Sequence, residues 1–160
     1  MKYIFRIMVA LVATIMSISM QAQPAASPNA KSTEDSVKAA VNLLFTGMIQ
    51  SDAAKIRSSF TDSAILQSIV EKGGKTRART ESVEEFAQSI SKLEKGVADE
   101  RIRFDVIRID GPLAIVWAPY SFYYKGQLNH CGVDSFQMLL VDGVWKIQYL
   151  VDTRRKQPCQ

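Results

Sequence analysis

The chain has 160 residues, with 20 Lys and Arg against 16 Asp and Glu, a formal net charge of +4, and 47% hydrophobic residues. This length suits one domain with a substantial core. Lys2 and Arg6 account for two of the excess positive charges, and we see no Lys/Arg-rich patch interleaved with aromatic residues. The composition therefore argues against nucleic-acid binding.

The N-terminus, MKYIFRIMVALVATIMSISMQAQ, has a basic start, an apolar run and small residues near Ala22. This layout is typical of a cleavable secretory signal, so we expect residues 1–22 to be a signal peptide. The apolar run is short for a membrane span, although an uncleaved anchor is the alternative. The mature protein is then exported to the periplasm or the extracellular space, with no stable membrane span after cleavage. Residues 23–31, rich in Pro, Ala and Ser, are predicted to be a disordered leader.

Helical spacing of apolar residues predicts a first helix from a cap at Ser32 or Thr33 to about Gln50. A short helix over about 53–59 follows. Two extended runs then flank Gly73-Gly74, which indicates a hairpin whose second strand, KTRAR (75–79), is an exposed edge. A third helix is predicted over 81–93.

The remaining sequence is predicted to be β, with strands at about 101–109, 113–124, 128–141 and 144–153. Tight-turn residues separate them, including Asp142-Gly143. A phase flip near Val106-Ile107 suggests a bulge and leaves the facing of Asp105, a secondary site candidate, open. The order predicts an α+β fold with helices packed on one face of a curved antiparallel sheet that ends in a four-stranded meander.

This order, together with FQMLLVDGVWKIQYLVDTRR at 136–155, resembles the nuclear transport factor 2-like (SnoaL-like, cystatin-like) superfamily. Within it the chain is most similar to the putative lumazine-binding branch. The resemblance implies a cone-shaped domain over 32–155 followed by a C-terminal tail at 156–160. That superfamily includes both enzymes and non-catalytic modules, so the fold alone does not give a function.

Strand alternation predicts where the polar residues point. If Asp142-Gly143 is a two-residue turn, then Leu140, Met138 and Phe136 form the core face, which continues through Asp134 to His130. The preceding hairpin predicts that Trp117, Ser121 and Tyr123 share this face, with Tyr120 on the opposite one. These five residues, Trp117, Ser121, Tyr123, His130 and Asp134, are therefore the candidate lining of a small-molecule pocket.

Three kinds of chemistry are weighed at this pocket. Because adjacent strand residues face opposite ways, His130 and Cys131 do not make a nucleophilic pair. A single histidine and no carboxylate cluster of suitable spacing argue against a metal, and we expect no cofactor. Acid–base chemistry by His130 and Asp134, with Tyr123 as a proton donor, is the catalytic alternative to an inert hollow.

Other residues are placed on the outer side of the sheet. Cys131 faces outward, where it either forms a disulfide with Cys159 or remains a free thiol. Asp152 is predicted to lie on the outer face with a surface arginine. Gly132 is interpreted as a kink in a long strand.

The sequence thus leaves three hypotheses. The first is a binder of a small hydrophobic or aromatic molecule, with the heteroaromatic ligand class implied by the resemblance and the ring stacked near Trp117 and Tyr123. The second is a small enzyme that performs acid–base chemistry on a carbonyl compound. The third is a non-catalytic module that forms a homodimer through the outer sheet face, where Val133, Leu139 and Leu150 are expected.

Overall fold

Three helices precede or interrupt the sheet, and each begins at a side chain that caps it. The computed structural model describes residues 32–159, so the predicted signal peptide and leader lie outside the described residues. Ser32 accepts a hydrogen bond from the backbone N–H of Asp35, and Asp52 accepts one from Lys55. Ser82 and Glu85 form a reciprocal capping box. The helices are α1 (Thr33–Ile49), α2 (Ala53–Ser58) and α3 (Val83–Ser91).

Seven strands form one mostly antiparallel sheet, which confirms the predicted α+β fold class. They are β1 (Phe60–Lys72), β2 (Lys75–Glu81), β3 (Ala98–Ile102), β4 (Val106–Asp110), β5 (Leu113–Tyr124), β6 (Gln127–Val141) and β7 (Val144–Thr153). The order across the sheet is β2-β1-β7-β6-β5-β3, and β4 also pairs with β5. The pairing of β1 with β7 is parallel and brings the first and last strands of the domain together.

The prediction of one continuous strand over 101–109 is wrong, because two separate strands, β3 and β4, occupy this stretch. Ile102 pairs with Tyr120, whereas Val106 pairs with Trp117, so one extra residue separates the two registers. The irregular residues between β3 and β4 reverse which side chains of the chain point inward, and this reversal explains the phase flip seen in the apolar pattern of the sequence. Asp105 lies here, exposed to solvent, and its carboxylate is 2.8 Å from the guanidinium of Arg103.

The core lies between the helices and one face of the sheet. Phe136, Met138 and Ile147 contribute fully buried side chains from β6 and β7, and Val41 and Leu44 contribute them from α1. Burying side chains of this size provides the main driving force for folding. The β6–β7 register predicted from the Asp142-Gly143 turn is correct from Val141 to Met138.

Two register shifts decide which side chains face this core. One lies in the β5–β6 hairpin, where Tyr123 pairs with Leu128 but Phe122 pairs with His130, so that Asn129 is an extra residue. The other lies in the β6–β7 hairpin, where Met138 pairs with Ile147 but Gln137 pairs with Tyr149. A one-residue shift reverses the facing of every residue beyond it on one strand relative to the other.

The C-terminal tail continues beside β6 after β7 ends. Cys131 and Cys159 form a disulfide with a Cα–Cα distance of 5.7 Å, and the backbones of Cys131 and Arg155 exchange two hydrogen bonds. Gly132 allows this close approach, since a Cβ there would lie 1.8 Å from the carbonyl oxygen of Thr153. This backbone contact requires a glycine at position 132. Cys131 is on the outer face but is buried.

No helix among residues 32–159 combines the length and the apolar composition needed to cross a membrane.

Candidate functional site

A small cavity of about 50 Å³ lies between the helices and the inner face of the sheet. Its lining divides almost evenly between apolar and polar side chains. The apolar side chains are Leu44, Phe45, Met48, Leu66, Phe86 and Leu150, and the polar ones are Ser68, Glu81, Glu100, Tyr120, Asp134, Asp152 and Arg154. We call it the acid cavity after its three innermost carboxyl groups, those of Glu100, Asp134 and Asp152.

Asp134 is the most unusual group in the acid cavity. Only 3% of it is exposed, and its Oδ2 receives no hydrogen bond from any donor in the described part of the chain. Its neighbour is the carboxyl group of Glu100 on β3, and two carboxyl groups can hydrogen-bond only if one of them carries a proton. Burial raises the pKa of Asp134 well above its usual range, and the negative charge of Glu100 raises it further. Burial likewise raises the pKa of Glu100 to about 7. The pair therefore shares a proton near neutral pH.

Asp152 faces Asp134 directly across β6 and β7, and its charge is stabilised by three donors. The hydroxyl of Ser68 donates to Asp152 at 2.6 Å, and Nε of Arg154 donates at 2.7 Å. The hydroxyl of Tyr120 lies 3.1 Å from the second carboxylate oxygen and 2.9 Å from the carbonyl oxygen of Thr153. A buried carboxylate needs such partners; Asp152 has them, whereas Oδ2 of Asp134 has none in the described part of the chain.

Tyr120 belongs to the site, although the sequence prediction placed it on the opposite face. It pairs with Gly132 on the inner side of the sheet and is buried. Burial, followed by the negative charge of Asp152, raises the pKa of its hydroxyl. Tyr120 therefore stays protonated and acts only as a hydrogen-bond donor.

His130 lies on the inner side of the sheet but outside the acid cavity. Its ring is 5.7 Å from that of Tyr120 and 5.0 Å from that of Phe122, and Nδ1 is 2.9 Å from Oδ1 of Asn129. Burial lowers its pKa, and the positive charge of Arg154 lowers it further. His130 is thus a neutral imidazole held at the edge of the site.

The prediction that Trp117, Ser121 and Tyr123 line the inner face with Asp134 is wrong. Trp117 is 46% exposed on the outer face, and Ser121 pairs there with Cys131. Tyr123 packs under the guanidinium of Arg101, 4.3 Å from the ring centroid. The extra residue at Asn129 reverses the facing of β5 relative to that of β6. Even-numbered residues of β5 therefore share the inner face with Asp134.

Of the predicted pocket-lining residues only Asp134 lines the acid cavity, and besides Tyr120 the residues missed include Asp152, Leu150 and Glu100. The sequence analysis placed Asp152 and Leu150 on the outer face of the sheet, but the bulge in the β6–β7 hairpin turns both side chains toward the inner face. Asp152 does bind an arginine, as expected, but at a buried position. Glu100 was missed because it lies before the predicted start of its strand. The three acidic residues at 100, 134 and 152 could have predicted a shared polar site only if both bulges had been located, because the bulges decide that these side chains face the same side of the sheet.

Within residues 32–159, no group of three or more His, Cys, Asp or Glu side chains is arranged to hold a metal ion.

Solved structures with the same fold are numerous, although their sequences have diverged. A protein of unknown function from Shewanella baltica, described as NTF2-like, aligns with a TM-score of 0.61 at 16% identity and covers 80% of this chain and 100% of its own. A domain from Nostoc punctiforme with a cystatin-like fold gives 0.61 at 14% identity, covering 79% and 81%. An NTF2-like protein of unknown function from Silicibacter pomeroyi gives 0.58 at 16% identity, covering 75% and 93%.

These identities establish the fold alone. No curated protein matches the chain at a significant level. A family profile, however, matches residues 32–149, from the cap of α1 into β7, and ends just before Leu150, Asp152 and Arg154 of the acid cavity. The chain has the NTF2-like fold and belongs to the family described as "Putative lumazine-binding".

Proposed function

We propose that this protein binds a flat, hydrogen-bonding small molecule in the acid cavity. The observation that carries the proposal is the buried carboxyl group of Asp134, which lines a cavity together with apolar side chains and has an oxygen without a donor in the described part of the chain. Small-molecule sites combine apolar walls with a few converging polar groups in this way. The family description points to a lumazine-like ring, whose amide N–H and C=O groups would match a proton-sharing carboxyl pair.

The ring-stacking residues of this proposal differ from those expected from sequence. Phe45 of α1 and Phe86 of α3 line the acid cavity, whereas Trp117 and Tyr123 do not. The cavity of about 50 Å³ holds a few water molecules, while sites for ring compounds usually measure about 300–1,000 Å³. Binding must therefore enlarge it, and half-buried Phe86 on the short helix α3 is the side chain best placed to move.

A ligand panel of lumazine, riboflavin and a steroid tests the proposal by calorimetry and thermal shift. We expect saturable binding of lumazine that weakens about tenfold in Asp134→Asn, as for loss of one hydrogen bond in a buried site. Phe86→Ala should still bind lumazine, because it opens the cavity while Phe45 remains to stack on the ring. Asp105→Asn, which changes an exposed carboxylate, is the matched control. Absence of binding to both the native protein and Phe86→Ala would refute the proposal.

The alternative function is proton transfer on a carbonyl compound. One observation favours it, the proton-sharing pair of Glu100 and Asp134, because a carboxyl group with a pKa of about 7 suits general acid–base catalysis near neutral pH. The sequence analysis assigned this chemistry to His130 and Asp134, with Tyr123 as the proton donor. In the present proposal Glu100 and Asp134 perform it. Exchange of α-protons of keto compounds in deuterium oxide, followed by NMR, should then disappear in Glu100→Gln and persist in Asp105→Asn. If the native protein exchanges no compound faster than buffer does, this alternative is abandoned.

We propose further that the protein is exported and acts as a homodimer. The N-terminal 22 residues have the pattern of a secretory signal, and a disulfide suits an oxidising compartment. N-terminal sequencing of the protein from a periplasmic or culture fraction tests export.

The proposed dimer is supported by a group of exposed apolar side chains on β4 and β5, which we call the outer apolar face: Val106, Leu113, Ile115 and Trp117. Contiguous apolar surface of this kind is typical of an interaction site.

A further inference from the structure

A second depression, of about 290 Å³, opens at the surface beside the acid cavity. It lies where the start of β6 meets the tail that follows β7. We call it the basic basin, and its lining residues are Asn129, His130, Arg154, Arg155 and Lys156. Nothing in the sequence pattern pointed to it, because these residues come together only when the tail folds back onto β6.

The basic basin has positive charge and unused hydrogen-bond donors. No carboxylate is among its lining residues in the described part of the chain. Lys156 donates once, to the backbone oxygen of Asn129 at 2.9 Å, and Arg155 donates from Nε to that of Pro158 at 2.9 Å. An ammonium has three N–H donors and a guanidinium five, so most of them remain free. The basin is therefore suited to an anion.

Arg154 connects the basin with the acid cavity, since it lines both. Its Nε and one Nη2 hydrogen face Asp152, at 2.7 and 3.4 Å. The remaining guanidinium donors are free to bind a second anion, and the side chain is 42% exposed. Because the charge of Asp152 offsets that of Arg154, the net positive charge of the basin comes from Arg155 and Lys156.

We propose that the basic basin binds the anionic group, a phosphate or a carboxylate, of a ligand whose uncharged ring enters the acid cavity beneath Arg154. This inference rests on the proposed function, because it supplies the second half of the same ligand. The two volumes support the division. About 290 Å³ at the surface has room for a phosphate and its linker, while the cavity of about 50 Å³ admits the uncharged ring only after the enlargement proposed above. Planar guanidinium donors match both phosphate and carboxylate oxygens.

His130 provides a direct measurement because it is the only histidine of the chain and lines the basin. Its imidazole resonances are followed by NMR while inorganic phosphate or acetate is added, with sodium chloride at matched ionic strength as the reference. We expect a saturable shift with at least one of the two anions. A shift of the His130 resonances with phosphate alone assigns a phosphate ligand, and a shift with acetate alone assigns a carboxylate. A shift with both anions shows a site for either group. Each of these results supports the site.

Two variants separate the basin from general charge effects. Lys156→Gln should weaken anion binding about fivefold, through loss of one charged donor. Lys95→Gln, which removes the same charge from an exposed loop between α3 and β3, should leave it unchanged. The proposal is overturned if neither anion shifts His130 beyond the sodium chloride reference. It is also overturned if both variants weaken binding equally.

The same samples distinguish this inference from the proposed function. Binding of lumazine, which has no anionic side group, reports on the acid cavity alone. If lumazine binds but no anion shifts His130, the basin inference fails and the proposed function stands. If anions bind with the expected dependence on Lys156 but no ring compound binds, the proposed function fails while the basin remains an anion site.

Discussion

At the scale of single residues, the site depends on how the domain stabilises three neighbouring buried carboxyl groups, those of Glu100, Asp134 and Asp152. Asp134 and Asp152 face one another on adjacent strands, an arrangement that is destabilising for two like charges. Arg154, Ser68 and Tyr120 stabilise the charge of Asp152. Asp134 instead shares a proton with Glu100. Carboxyl groups with such different environments are typical of functional sites, although structural networks also produce them.

The raised pKa values predict a pH dependence of stability. Between the ordinary pKa of 4.5 and about 7, the folded protein holds a proton on Glu100 that the unfolded chain has lost. The free energy of unfolding should therefore fall as the pH rises through this range, by on the order of 3 kcal/mol. Urea unfolding at a series of pH values measures this decrease.

Asp134→Asn should reduce the slope, since an amide needs no shared proton, and should make the protein more stable than the native form above pH 7. Asp105→Asn, at an exposed ion pair, should keep the native slope. An unchanged slope in Asp134→Asn would show that the two carboxyl groups do not share a proton.

At the scale of elements, the tail after β7 builds the site as much as the sheet does. Its disulfide to Cys131 and its backbone pairing with β6 hold Arg154, Arg155 and Lys156 in place around the basin. Gly132 makes this possible because it leaves room for the carbonyl oxygen of Thr153. The tail is thus a structural part of the domain, although the sequence set it apart at 156–160.

Removal of the disulfide should cost stability and loosen the basin. The two cysteines are 28 residues apart, so Cys159→Ser should lower the free energy of unfolding by about 3 kcal/mol. Urea unfolding measures the change. Reduction of the native protein with dithiothreitol should have the same effect and should leave Cys159→Ser unaffected. Equal urea midpoints for native and variant protein under oxidising conditions would contradict a stabilising disulfide.

At the scale of the whole molecule, the two faces of the sheet have separate roles. The inner face holds the core and the acid cavity, and the outer face presents Trp117 and Ile115 at 46% and 44% exposure. Leu150, which the sequence analysis assigned to the outer face, is buried inside. The proposed dimer therefore depends on β4 and β5 rather than on β7.

Sedimentation equilibrium across a range of concentrations tests the dimer. We expect the native protein to be dimeric and Trp117→Glu to be monomeric, because a buried, unpaired carboxylate opposes association across an interface. Val144→Glu places the same charge on an exposed site in the β6–β7 hairpin, outside the outer apolar face, and should leave the dimer intact. A native protein that stays monomeric at every concentration would exclude this assembly.

The sequence by itself determined the fold class, the three helices and the positions of most strands. Apolar spacing and turn residues act locally, so α1 and the Asp142-Gly143 hairpin could be predicted closely. Only the tertiary structure decided which side chains meet. Bulges near Asn129 and Gln148 reversed the facing of Trp117, Tyr120 and Asp152, and a bulge depends on neighbouring strands rather than on one strand's pattern. The acid cavity and the basic basin were therefore beyond local reasoning, because each joins residues far apart in the chain.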